Sequence, residues 1–266
     1  MSCAVDTLGN VLRPATNKTC ALDVGFFDGG AATAWAGRWW SVVGTATAAY
    51  ITLLQLPTPR SPIVTKRVVL LWNTALSVFS CIGSVTAAAN MSRKVALDGF
   101  VASVCDDASW FSSDAMGLAL FLFVLSKPCE LIDTVLLKLR SRPVPFLHWY
   151  HHVSVMYYAW HAYATRTSIG PWFATVNYVV HAIMYSYYAS TQIPDVKRRV
   201  ARVAPYITVL QISQMLFGIS VGLVALGTSG CGDHRTNTLM SLGMYTSYAV
   251  LFIRLFQKKR RTETTE

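Results

Sequence analysis

The sequence predicts an all-α membrane protein whose helices cross the bilayer seven times. Of its 266 residues, 53% are hydrophobic and only 14% are charged, whereas about 25% of the residues in an ordinary soluble domain are charged. The apolar residues also occur in blocks of about twenty, which is the length of a helix that crosses a bilayer. These observations argue against disordered, collagen-like, disulfide-dense secreted and nucleic-acid-binding proteins.

Seven apolar segments are long enough to span a membrane, and turn-forming prolines and glycines separate most of them. We predict spans over residues 35–56, 68–89, 116–137, 146–164, 172–191, 205–226 and 239–256. These limits divide the chain into an N-terminal segment over 1–34, a membrane domain over 35–256 and a basic tail over 257–266. The first thirty residues contain no apolar run, so we expect no cleavable signal peptide.

The lysines and arginines indicate the orientation of the chain. Fourteen of the 23 lie on one side of the predicted spans and seven lie on the other. The positive-inside rule places the richer side, with the C-terminus, in the cytosol and the N-terminus outside. This topology explains the net charge of +10 without a nucleic-acid partner.

Four of the six cysteines fall on the outer side, among them Cys105 and Cys231. If that side is an oxidising lumen, a disulfide between these two would join two outer loops. Free thiols are the alternative, because cysteine pairing cannot be read from a sequence.

The third predicted span carries four polar residues in the pattern K-x-x-E-x-x-D-T, namely Lys127, Glu130, Asp133 and Thr134. Steps of three residues place the first three along one helical stripe. Ionisable groups at membrane depth usually line a protein interior or a water-filled path. The alternative is a neutralised stripe that only fixes helix packing.

The fourth span carries His148, His151 and His152 in the pattern H-x-x-H-H, again on one helical face. Imidazoles that converge in this way suit a metal site or acid-base and nucleophilic chemistry. The alternative, three satisfied core histidines within five residues, explains the pattern poorly. We expect His161 to lie at an interface and His234 in an outer loop, both outside the site.

The fifth and sixth spans add further polar faces at helical spacing. These faces comprise Asn177, His181, Tyr185 and Tyr188 in the fifth span and Thr208, Gln211 and Gln214 in the sixth. Such stripes also serve as hydrogen-bond contacts between helices. At 1.5 Å per residue, Glu130, His151, His181 and Gln211 all fall about 10 to 15 Å below the cytosolic surface. The shared depth predicts one site built by four helices.

These four motifs, in this order between Lys127 and Gln214, resemble the signature set of the ELO family of fatty acid elongases. The sequence F-L-H-W-Y-H-H at residues 146–152 is similar to the branch that prefers saturated and monounsaturated chains. One departure is the tail, where Lys258 and Lys259 stand too far from Glu266 for the dilysine retrieval signal of the family.

The resemblance implies a condensing enzyme of the endoplasmic reticulum membrane, with a lumenal N-terminus and a cytosolic C-terminus. Such an enzyme joins a long-chain acyl-CoA to malonyl-CoA and releases 3-ketoacyl-CoA, CO2 and CoA, the first step of the elongation cycle. Its seven helices would enclose a narrow acyl tunnel. The expected partners are the two CoA substrates, the bilayer and the other elongation enzymes, and a homodimer stays open. We expect no bound cofactor and no metal.

The resemblance also implies roles for individual residues. His151 would carry the acyl group, His148 and His152 would orient it or exchange protons, and His181 would face the same chamber. An unperturbed imidazole is largely neutral and nucleophilic at cytosolic pH. The expected substrate-binding residues are Lys127, Glu130, Asp133, Arg140, Asn177, Tyr185, Tyr187, Tyr188, Arg202, Thr208, Gln211 and Gln214.

Three of these assignments are more specific. Asn177, His181, Tyr187 or Gln211 would donate to the developing oxyanion. Lys127 would bind a CoA phosphate or the malonyl carboxylate, with Glu130 and Asp133 fixing its position. Arg140 and Arg202 would bind CoA at the cytosolic mouth.

Two other functions remain as alternatives. Membrane di-iron desaturases and hydroxylases also contain H-x-x-H-H, but they need more histidines than the six in this chain. A seven-helix receptor or transporter explains the number of spans but not a cluster of histidines on the cytosolic side.

Overall fold

The computed structural model describes residues 27–106, 111, 115–231 and 235–265, and all regular secondary structure within these ranges is helical. This confirms the all-α prediction for the described residues. The helices are α1 (Gly29–Arg38), α2 (Trp40–Gln55), α3 (Lys66–Asp98), α4 (Phe100–Cys105), α5 (Ala115–Glu130), α6 (Ile132–Leu139), α7 (Phe146–Ala164), α8 (Gly170–Ser190), α9 (Pro194–Val200), α10 (Ala204–Gly227) and α11 (Arg235–Thr265). The first 26 residues and His234 lie outside the described residues.

Four stretches are long and apolar enough to cross a membrane: Lys66–Asp98, Ala115–Leu139, Pro194–Gly227 and Arg235–Lys258. The three other predicted spans also fold as helices, in α2, α7 and α8. Helix α2 has only 16 residues, and α7 and α8 carry the histidines, tyrosines and Asn177 that lower their apolar character. Among the described residues, four spans therefore have both the length and the hydropathy of a membrane-crossing helix. The seven crossings stay a prediction.

The third predicted span is not one continuous helix. It is interrupted at Leu131, between α5 and α6. Pro128 lies inside the last turn of α5, where it lacks a backbone N–H and its ring crowds the carbonyl of the preceding turn. The predicted span therefore folds as two consecutive helices.

Lys138 is a second departure, because the sequence places it among the charges of a cytosolic loop. It is buried near the end of α6, and its amine donates hydrogen bonds to the carbonyl oxygens of Leu54 and Leu56. These carbonyls end α2 and have no intrahelical partner. Lys138 therefore caps α2 instead of facing solvent.

Close packing joins the helices into pairs. A Cβ atom on Gly83 of α3 would clash with the Tyr178 ring of α8, and one on Gly218 of α10 would lie 2.7 Å from the Tyr245 ring of α11. Small residues at such contacts let helices approach without a clash. The pairs α3 with α8 and α10 with α11 consequently form the most extensive contacts in the described structure.

A disulfide joins the end of α4 to the loop between α10 and α11. It links Cys105 to Cys231, which are 126 residues apart, and so decides between the two alternatives that the sequence left open. At the same end of the molecule, the indole N–H of Trp160 donates to the carbonyl of Ala36 at 2.8 Å. These two contacts hold α4, α1 and this end of the bundle together.

Candidate active site

Lys127 and Glu130 form a buried ion pair on the last turn of α5. The Lys127 amine lies 2.7 Å from Oε1 of Glu130 and donates to Oδ1 of Asn177 at 3.0 Å. Ser126 donates to the same Glu130 oxygen at 3.0 Å. The i, i+3 spacing predicted the ion pair, but the contact with Asn177 joins α5 to α8.

The Lys127 contact also determines how the amide of Asn177 is oriented. An ammonium group can only donate hydrogen bonds, so the atom that faces it must be the amide oxygen. The NH₂ group of Asn177 is then left to point elsewhere. Lys127 itself is only 2% exposed, so any effect on a bound molecule would be transmitted through Asn177.

Asp133 has a different set of partners from the one that its sequence pattern predicts. Its Oδ1 accepts from the indole N–H of Trp72 at 2.6 Å, and its Oδ2 accepts from the hydroxyl of Tyr185 at 2.7 Å. The expectation that Asp133 fixes Lys127 is therefore wrong. The physical reason is helix geometry: Asp133 lies six residues after Lys127, about 120° around the helix axis from it, so its carboxylate faces α3 and α8.

His148 belongs to a hydrogen-bonded chain that crosses three helices. Its Nε2 lies 2.8 Å from Oγ1 of Thr134, which in turn lies 2.7 Å from the hydroxyl of Tyr50. Thr134 is fully buried. The last residue of the K-x-x-E-x-x-D-T pattern therefore orients the first histidine of the H-x-x-H-H pattern.

The other histidines contact aromatic rings or Glu130. The His148 and His152 rings are 4.4 Å apart, and the His151 ring is 5.6 Å from that of His152. His181 places its Nδ1 3.8 Å from Oε1 of Glu130. The sequence correctly predicts that α7 and α8 bring these imidazoles into one region, together with the carboxylate of α5.

Three cavities follow one another through this region. The first, the basic vestibule, includes Lys66, Arg140, Arg142 and Lys197. The histidine chamber, of about 430 Å³, contains His148, His151, His152 and His181. The apolar cavity includes Leu120, Phe173, Gly170 and Met215.

Residues that line two cavities at once connect the three cavities one after another. The vestibule and the chamber share Asp133, His148, Tyr185 and Tyr188. The chamber and the apolar cavity share His151, Asn177, Gln214 and Met215. His151 and Asn177 therefore lie where the polar chamber meets the apolar cavity.

The remaining candidates from the sequence occupy different positions. The histidine chamber is also lined by Tyr187, Thr208 and Gln211, and Gln211 donates to the sulfur of Met184 at 3.2 Å. Arg140 lines the vestibule. Arg202 is exposed in a short 3₁₀ turn over Ala201–Val203 and lines none of these three cavities.

Sequence reasoning missed five residues that contact the candidate site. They are Tyr50, Trp72, Ser126, Ser154 and Tyr248. Tyr50 and Trp72 stand alone in apolar spans, so only a search for isolated polar groups could have selected them. Helical spacing could have selected the other three: Ser126 lies four residues before Glu130, Ser154 three residues after His151, and Tyr248 on one face with Ser241 and Tyr245.

The family comparison agrees with the motifs. Residues 35–265 match the model of the ELO family, described as the GNS1/SUR4 family. The relatives include "Fatty acid elongase 1" of Trypanosoma brucei brucei, which is 42% identical over 204 residues, or 74% of this chain and 66% of that protein.

Two animal relatives carry related names. "Very long chain fatty acid elongase 6" of Drosophila melanogaster is 39% identical over 71% of this chain and 61% of its own length. The protein of the same name from Mus musculus is 39% identical over 72% of each chain. The match spans less than two thirds of the Trypanosoma brucei brucei and Drosophila proteins. The family match covers most of the chain and contains every motif of the site, so this chain belongs to the ELO (GNS1/SUR4) family.

Proposed function

We propose that this protein is a fatty acid elongase that condenses a long-chain acyl-CoA with malonyl-CoA. The products are 3-ketoacyl-CoA, CO2 and CoA, and the reaction is the first step of an elongation cycle. The order of the three cavities carries the proposal. A basic vestibule, a histidine chamber and an apolar cavity match the phosphates, the thioester and the hydrocarbon chain of an acyl-CoA.

The vestibule supplies the charge that CoA requires. Its four cationic side chains belong to α3, to the loop after α6 and to α9. Charge-assisted hydrogen bonds to phosphate are among the stronger polar contacts in proteins. The Arg202 side chain lies outside this vestibule, so Arg140 is the better of the two predicted CoA contacts.

The apolar cavity would hold the acyl chain once the helices around it separate, because its volume of about 50 Å³ in this structure is smaller than a long hydrocarbon chain. It extends from His151 in the first half of α7 to Ala162 near its end, a length of about 16 Å at 1.5 Å per residue. Its walls are mainly aromatic and aliphatic. Exclusion of water there would protect a reactive acyl group next to His151 from hydrolysis.

Chemistry would begin at His151. A ring nitrogen attacks the thioester carbonyl of the acyl-CoA, the carbon–sulfur bond breaks, and CoA leaves as the thiol after it gains a proton. The acyl group remains on the imidazole. His148 and His152 lie next to His151 on α7 and are placed to exchange that proton.

The second half of the reaction uses malonyl-CoA. Loss of CO2 leaves an enolate, whose carbon attacks the acyl carbonyl and forms the new carbon–carbon bond. The carbon–nitrogen bond to His151 then breaks and releases 3-ketoacyl-CoA. The oriented NH₂ group of Asn177 is suited to stabilise the oxyanion, because Lys127 holds the amide oxygen on the other side.

The topology belongs to the same proposal. Seven crossings with a lumenal N-terminus and a cytosolic C-terminus would place the vestibule in the cytosol, where CoA esters are soluble. The Cys105–Cys231 disulfide at the opposite end suits the oxidising lumen of the endoplasmic reticulum. Other elongation enzymes and a second copy of this chain remain candidate partners.

The test uses purified full-length protein in detergent with a series of acyl-CoAs and labelled malonyl-CoA, without reductant. The wild type should accumulate labelled 3-ketoacyl-CoA, and His151→Ala should lose at least about 100-fold of this activity. His161→Ala is the matched control on the same helix. Folded wild-type protein that condenses no chain length would contradict the proposal, and metal analysis would then examine the desaturase alternative.

A further inference from the structure

His151 differs from His148 in how its ring is held. Within the described residues, neither ring nitrogen of His151 has a hydrogen-bond partner, whereas Nε2 of His148 is bonded to Thr134. Instead, the His151 ring contacts the ring of Tyr248, with centroids 4.7 Å apart and planes at 47°. Packing, and not hydrogen bonding, therefore sets the orientation of this imidazole.

Tyr248 is itself firmly held, although it belongs to α11 and lies 97 residues after His151. Its side chain is only 1% exposed. Its hydroxyl lies 2.6 Å from Oγ of Ser154 and 3.4 Å from the carbonyl oxygen of His151. The Tyr150 ring packs edge-on against it at 5.8 Å.

Ser154 completes this arrangement on α7. It stands three residues after His151, so it lies on the same side of the helix. It also donates to the backbone carbonyl of Tyr150. The Tyr248 ring is thus tied through its hydroxyl to the helix turn that carries His151.

We infer that Tyr248 is a positioning residue for His151, with Ser154 fixing the tyrosine hydroxyl. The inference rests on the proposed function of His151 as the acyl carrier. The second side-chain torsion of histidine is broad and roughly two-fold, so a ring without hydrogen bonds needs a neighbour to define its orientation. The Tyr248 ring does this while it leaves both imidazole nitrogens available for acyl and proton transfer.

The kinetic test removes the hydrogen bond between the Tyr248 and Ser154 hydroxyls, once from each residue. Tyr248→Phe keeps the ring and loses the hydroxyl, and Ser154→Ala removes the partner, which does not line the apolar cavity. Each variant should lower kcat about 3- to 10-fold, since one hydrogen bond is lost. The KM for acyl-CoA should stay unchanged in Ser154→Ala, which is the decisive variant because Tyr248 itself lines the apolar cavity. The double variant should be no slower than either single variant, because both changes remove the same contact.

A second readout does not depend on elongation. Diethyl pyrocarbonate acylates accessible imidazole nitrogens, and mass spectrometry can follow His151 with His161 as the reference on the same helix. Both single variants should change the His151 labelling rate at least about threefold, because the ring reorients more freely once its neighbour is loosened. Tyr178→Phe is the matched control, since it removes another buried tyrosine hydroxyl bond, to the Ala119 carbonyl, and not a contact with the helix turn that carries His151.

The outcomes separate the two proposals. Wild-type kcat and an unchanged His151 labelling rate in both single variants would overturn the positioning role, as would equal effects in Tyr178→Phe. Wild-type protein that labels normally but forms no 3-ketoacyl-CoA would overturn the proposed function, while the labelling rates would still decide whether Tyr248 holds the ring. Thermal unfolding in detergent verifies that each variant is folded.

Discussion

The amine of Lys127 on α5 lies 3.0 Å from the amide oxygen of Asn177 on α8, fifty residues further along the chain. The contact also places a cation beside Glu130, at 2.7 Å, and over the Phe123 ring at 4.2 Å. A buried lysine with these partners orients neighbouring groups and does not itself line the cavities. The consequence is that its loss should alter the reaction through Asn177.

Lys127→Met should lower kcat for condensation at least about tenfold, because hydrogen bonds to a charged group are worth about 1.5 to 3 kcal/mol. The KM for acyl-CoA should change little, since Lys127 lies outside the vestibule. Lys138→Met is the control, because Lys138 is also buried but donates to backbone carbonyls that end α2. An equal loss of kcat in both variants would contradict a specific role for Lys127.

Gly170→Leu should shift the preferred acyl length toward shorter chains. Gly170 lines the apolar cavity at the start of α8, and a Cβ atom there would meet nothing within 4 Å. A leucine therefore meets no clash at its Cβ atom, and its longer side chain would narrow the cavity that Gly170 lines. The measurement is the product distribution over a series of acyl-CoAs, with Gly170→Ala as a smaller control, and an unchanged distribution in Gly170→Leu would contradict the prediction.

Arg140→Ala should raise the KM for acyl-CoA about three- to tenfold. The substitution removes a half-buried guanidinium from the vestibule, and with it the proposed hydrogen bonds to a CoA phosphate. Exposed charges are screened and contribute less, so Arg202→Ala should have a smaller effect. Steady-state kinetics at two salt concentrations provides the comparison. If the two variants raise KM equally, the assignment of the vestibule to CoA is wrong.

Trp72→Phe should destabilise the protein by about 1 to 3 kcal/mol, because it removes the indole donor from Oδ1 of Asp133 and leaves a buried acceptor unpaired. Trp39→Phe is the control, since Trp39 is 48% exposed. The quantity to compare is the midpoint of thermal unfolding in detergent. Equal midpoints for Trp72→Phe and the wild type would show that the Trp72 contact contributes little.

Local sequence patterns predicted much of the candidate site. The i, i+3 spacing of Lys127 and Glu130 predicted an ion pair that the structure contains, because neighbours on one helical face need no information about other helices. The same reasoning is wrong for Asp133. Asp133 lies about 120° around the helix axis from Lys127, so residues that form one stripe in the sequence pattern contact different helices.

Local spacing could not predict which side chains meet between different helices. Tyr248 approaches His151 from α11. It ends a polar face of Asn237, Ser241, Tyr245 and Tyr248 with the same spacing as the face in α8, but spacing within one helix does not say which other helix the face meets. The position of α11 depends on close approaches such as that of Gly218 in α10 to Tyr245 in α11. Such complementarity is a property of the packed bundle and has no local signature.

The sequence by itself determined the all-helical class, the order of the apolar segments, the family motifs and the histidines that surround one chamber. These properties follow from hydropathy and helical periodicity, which act over a few turns. Only the tertiary structure decided the partners of Asp133, the orientation of the Asn177 amide, the contact of Tyr248 with His151 and the order of the three cavities. These depend on how distant helices pack, since a side-chain contact requires a defined separation and angle between the two helix axes.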